Sequence, residues 1–100
     1  MDVRVLIAWH PGNVFQVSVI ALEAGRRWRK LYPSKEVCVD ELWRLGLLTL
    51  VERYDALHGD FATQDKALVI QTTAEALELE EAGFVETTRQ RVNEELYGES

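Results

Sequence analysis

Cysteine, methionine, histidine and proline are all scarce in this chain: one Cys, one Met, two His and two Pro among 100 residues. A lone Cys38 excludes an intrachain disulfide and suits a reducing compartment. His10, Cys38 and His58 stand singly and never at ligand spacing, so no metal site is expected. No glycine-rich phosphate loop or nucleophile elbow accompanies the serines and carboxylates, so neither a cofactor nor a catalytic residue is expected. Long hydrophobic runs are missing too. The longest near the start, Val5 to Trp9, is too short for a signal peptide or a membrane span. These absences predict a cytoplasmic protein, not an enzyme, with no membrane partner.

What is present describes an ordinary globular chain, with 47% apolar and 28% charged residues and room for one core. The formal net charge is −6 and is unevenly spread. Residues 1–46 hold seven Lys/Arg against five Asp/Glu, +2, while residues 47–100 hold four against twelve, −8. The one basic cluster is Arg26-Arg27-Trp28-Arg29-Lys30. It has the chemistry to clamp phosphates, arginine pairing bidentate with their oxygens. It is equally the composition of a solvated helix end, with cations near a C-terminus and Trp28 turned inward. An overall −6 counts against strong nucleic-acid binding, which draws on a basic surface.

Residues 2–10 fit two periods: Val3, Val5, Ile7 and Trp9 alternate as in a strand, while Val3, Leu6, Ile7 and His10 repeat as in a helix. Pro11-Gly12 then breaks the chain. Asn13 suits an N-cap, and Val17, Ile20, Ala21, Ala24, Trp28 and Leu31 predict a helical face over 14–31, with Gly25 either tolerated inside it or marking an end. Pro33 imposes a boundary. Ser34 caps a helix over Lys35 to Leu45, which Gly46 stops in a left-handed conformation. Leu47 to Tyr54 then reads as a strand, against a competing single helix from Asp40 to Leu57. Residues 55–66 suggest a loop or wing tip, Ala67 to Gln71 a strand, Thr72 or Thr73 to Ala82 a helix ending at Gly83, and the tail from Thr87 to Leu96 a last helix.

The order helix, helix, helix, strand, wing, strand, helix resembles winged helix-turn-helix regulators, and within them small regulator-like proteins of Mu-like phages and prophages. The residues that carry the resemblance are Pro11-Gly12, Ser34, the exit Leu42 to Leu48, and Val69 to Gly83. It implies an α+β fold with three helices, a two-stranded wing hairpin and a C-terminal helix, residues 1–86 forming the domain and 87–100 a helical tail. If residues 2–10 are instead a strand, the architecture becomes a mixed α/β sandwich and the analogy fails. The resemblance also implies a DNA-binding transcriptional regulator. Arg26, Arg27, Arg29 and Lys30 would then hold phosphates while Lys35 and Arg44 probe the major groove. Glu36, Asp40 and Glu41 share that helix and oppose phosphate.

The alternative is a protein-interaction module without DNA affinity. Leu42 and Leu45 facing inward turn Trp43 away from that face, and with Leu47 it would form an interface, a homodimer being the simplest case. The acidic C-terminal half, with Glu75, Glu78, Glu80 and Glu81, would meet a basic partner or stay a solvated face.

Overall fold

Every second residue of 3–7 and 15–21 is apolar, the two-residue period of a strand with one face in a core. In the computed structural model both segments are strands, β1 (Asp2–His10) and β2 (Val14–Ala21), and the burial of β2 alternates along its whole length. The structure describes residues 1–10, 14–23, 25–58 and 67–87, with backbone only at Trp9, His10 and Ala67. The strands pair antiparallel from Val3 opposite Ala21 to His10 opposite Val14. A turn through Gly25, closed by Ala21 N–H donating to Arg26 C=O at 2.9 Å, leads to β3 (Arg27–Tyr32). The later strands are β4 (Ala67–Thr73) and β5 (Val85–Thr87), and the sheet runs β4-β1-β2-β3-β5, antiparallel throughout.

Among the described residues three short helices cover one face of the sheet. In α1 (Lys35–Arg44) the Ser34 hydroxyl accepts from Val37 N–H at 3.3 Å, the expected N-cap. Gly46 (φ 78°) ends α1: Gly46 N–H donates to Trp43 C=O and Leu47 N–H to Leu42 C=O, satisfying the last carbonyls. A second helix then starts, α2 (Leu50–His58), through a reciprocal cap. Thr49 N–H donates to the Glu52 carboxylate at 2.8 Å, and Glu52 N–H to the Thr49 hydroxyl at 3.1 Å. The third helix, α3 (Ala76–Glu81), closes at Gly83 in the same manner as α1, with Phe84 N–H on Leu79 C=O. Cys38, Val39 and Leu42 of α1, Ala56 of α2 and Leu79 of α3 meet Val5, Val17, Val19 and Trp28 in one core.

This sheet overturns the winged helix. Residues 2–10 are a strand, and 14–31, expected as a helix, are β2, a turn and β3. Leu47 to Tyr54 is not a wing strand: its second half belongs to α2, and Ala67–Thr73 pairs with β1 instead. The fold is a sheet-dominated α+β arrangement. The strand expected at 67–71 is present and runs on to Thr73, so neither Thr72 nor Thr73 caps a helix; the helix that ends at Gly83 starts later, at Ala76, and the glycine stop at 46 is present. Of the loop or wing tip expected at 55–66, residues 55–58 are the last turn of α2 instead, and 59–66, like the tail helix beyond Thr87, lie outside the described residues. Among those described, no helix is long and apolar enough to cross a membrane.

Candidate functional site

The two-residue period of β3 sorts the basic cluster onto two faces. Trp28 and Tyr32 point into the core, with Lys30 between them on the helix side. Each of these side chains, and Arg26 before them, meets a carboxylate. Arg26 forms a two-pronged pair with Glu86, at 2.7 and 2.8 Å, and lies over the Trp28 ring at 4.7 Å. Trp28 Nε1 donates to Glu80 of α3 at 3.3 Å. Lys30 Nζ donates to Glu41 of α1 at 2.7 Å and to the Ala82 carbonyl at 2.6 Å, and the Tyr32 hydroxyl donates to the same Glu41 oxygen. A side chain at Gly83 would crowd this ammonium, since its Cβ would lie 3.3 Å from Lys30 Nζ.

The ladder is built to hold rather than to react. Burial alone would raise the Glu41 carboxyl, but hydrogen bonds from Lys30 and Tyr32 and the charges of Lys30 and Arg44 hold it below its ordinary range. Burial and the Glu41 contact push the Tyr32 phenol well up, so it keeps its proton. Burial, with Glu41 nearby, pushes the Cys38 thiol up to about 12, which leaves it no thiolate at neutral pH. The hydrogen bond to Glu86 likewise raises Arg26. Among the described residues no group of three or more His, Cys, Asp or Glu is placed to hold a metal.

Two surfaces remain. The first is the sheet face away from the helices, where Arg4, Ile20 and Arg27 lie in one cross-strand row and Leu6, Ser18 and Arg29 in the next. The second is the α1–α2 pair. Asp40 bridges Arg44 at 3.0 Å and Arg53 at 3.4 Å, and the Arg53 guanidinium stacks on Trp43 at 4.4 Å. Beside them a cleft of about 360 Å³ is lined by Val37, Asp40, Arg53 and Leu57. On α2, Leu50 is 67% exposed, Val51 70% and Tyr54 64%, and the Tyr54 ring stacks on His58 at 4.4 Å. At 100° per residue Leu50, Tyr54, His58 and Val51 fall within an arc of about 100° on the side away from buried Ala56. The helix turns Leu50, Val51 and Tyr54 outward, while Leu57 packs partly buried against the core.

The sequence-predicted residues are therefore dispersed. Arg26 and Lys30 are engaged by carboxylates, and Arg27 and Arg29 lie on the open sheet face. Lys35 begins α1, and Arg44 ends it in an ion pair with Asp40. Trp43 is at the surface, 37% exposed, whereas Leu47 is 2% exposed and belongs to the core. The apolar run Leu47 to Tyr54, read as a strand, does not reveal the exposed stripe of α2. Its signal was the Thr49-Leu50-Val51-Glu52 cap. The chain matches no family model, no curated protein and no solved structure.

Proposed function

We propose that this chain is a non-catalytic, cytoplasmic protein-interaction module that meets a protein partner through the outward face of α2 and the adjoining Trp43. One observation carries this: α2 buries only Ala56 fully and leaves Leu50, Val51 and Tyr54 in solvent. Isolated exposed apolar residues are common, but a contiguous stripe on one helix is the signature of an interface. Tyr54 within it and Trp43 beside it are the kinds of side chain that anchor such contacts. A photo-crosslinking residue placed at Val51 or Tyr54 in cells tests it. A discrete adduct with another protein is expected from these positions and not from Leu31 on the open sheet face. Adducts no different from those at Leu31 would refute it.

A second reading keeps nucleic acid as the partner, through the open sheet face instead of a recognition helix. Its support is the shared row of Arg4 and Arg27, two strands and so about 10 Å apart. Phosphate contacts of this kind weaken steeply with salt. Duplex DNA titrated at two salt concentrations therefore separates the readings: no binding at low salt removes this one.

A further inference from the structure

The Met1 amino group donates to Ala74 C=O at 3.1 Å, and Ala74 N–H donates to Met1 C=O at 3.0 Å. Residues 1 and 74 are thus a hydrogen-bonded pair, and such pairs alternate along an antiparallel ladder. It follows that Thr72, Ile70 and Leu68 turn their backbone groups toward β1, while Thr73, Gln71, Val69 and Ala67 turn theirs outward. Among the described residues no strand lies on that side. Edges of this kind are usually blunted by lysine, proline or a bulge. β4, Ala-Leu-Val-Ile-Gln-Thr-Thr, has no proline and no charge, and its register against β1 is unbroken.

We propose that β4 pairs antiparallel with β4 of a second copy about a two-fold axis at Ile70, joining two five-stranded sheets into one. This register places Val69 opposite the partner copy's Gln71, and Ala67 opposite its Thr73. The outward-facing groups then supply both halves of every hydrogen-bonded pair, and the seven residues overlap completely. Opposite residues point to the same face, so Ile70 meets its counterpart on the helix-covered side and both helix layers lie together. The net charge of −6 opposes contact between two copies over most of the surface, and β4, which has no charged residue, is where that local repulsion is least. A seven-residue strand pair is smaller than a standard interface, which places the dimer among weak, concentration-dependent associations.

The test uses the two exposed positions on the open face. Val69→Lys with Gln71→Lys sets lysine against lysine across the axis, whereas Val69→Lys with Gln71→Glu sets lysine against glutamate. Sedimentation should give dimerisation at least tenfold weaker for the first variant and near that of the unmodified chain for the second. Amide exchange gives a separate readout. Val69, Gln71 and Thr73 should gain protection with concentration, while Leu68, Ile70 and Thr72 stay protected throughout. Three results would overturn the proposal: a monomer at ~1 mM, a dimer that both charge pairs weaken equally, or one that neither touches. A dimer lost instead through Val51→Asp would place self-association on α2 and leave the edge unpaired.

Discussion

Glu41 is the point where α1, β3 and the end of α3 are tied together, so Glu41→Ala is the sharpest perturbation of the fold. It leaves the Tyr32 hydroxyl without its carboxylate and leaves Lys30 with the Ala82 carbonyl alone. Hydrogen bonds to charged groups contribute about 1.5–3 kcal/mol each. Lys30 is a quarter exposed, so water recovers part of that. A net loss of ~2–3 kcal/mol follows, which for a domain of this size lowers Tm by roughly 10–20 °C. Urea unfolding followed by tryptophan fluorescence at pH 7 measures it, with exposed Glu36→Ala on the same helix as control. The pH dependence has a definite sign. The folded carboxyl sits below its ordinary 4.5, so its contribution is complete above that value and fades as pH falls through the folded one. The gap between the parent and Glu41→Ala should therefore narrow from pH 7 to pH 3. A difference under ~0.5 kcal/mol at pH 7, or one that is the same at both pH values, would refute the role given to this carboxylate.

Three further expectations rest on separate features. Gly46→Ala should cost ~1–2 kcal/mol in urea unfolding although nothing lies within 4 Å of the added methyl, because the loss is backbone strain at φ 78°; Gly46→Asn should cost less. Thr49→Ala removes the hydroxyl that caps α2 and should lower stability by about 1 kcal/mol, with a matching fall in helical circular dichroism; unchanged values would mean the cap is idle. Cys38, buried and pushed up to about 12, should resist an aromatic disulfide reagent in the native state at pH 8 and react at once in urea. Rapid native labelling would show that the core opens there.

The stops and the strand at 67–71 were legible in the sequence, β1 was one of two open readings, and β2 and β3 were not legible. Ser34, Gly46 and Gly83 act through local backbone chemistry, which a sequence states directly, and all three bound helices as expected. The strand-rich first third was obscured by the sheet's open face. Ile20 and Leu31 lie on that face, so β2 and β3 together carry enough apolar residues to imitate a helical stripe with Val17, Ala21 and Trp28. The stricter signal was the alternation of Phe15, Val17, Val19 and Ala21 with Gln16 and Ser18. At 47–54 the apolar run looks like a strand because Leu48 and Leu50 alternate about Thr49, yet the fold buries Leu48 and leaves Leu50 in solvent. The charge asymmetry also had a structural meaning that composition does not express. The surplus acids of the second half include Glu80 and Glu86, which engage Trp28 and Arg26 of the first. Among the site residues, the surface positions of Trp43 and Arg44 could be read in advance.

The placement of β1 between β2 and β4 sets the order in which this chain can be completed. The β1–β2–β3 meander joins neighbours and can form once Tyr32 is available, but the other flank of β1 waits for Ala67–Thr73. Closing that long loop is slow compared with hairpin formation. During synthesis or refolding, Val3-Arg4-Val5-Leu6-Ile7-Ala8 therefore passes through a stage with one bare flank, when a neighbouring nascent chain competes for it. Recovery of folded protein should fall with concentration and with any change that delays the arrival of the fourth strand, even where the finished structure is equally stable.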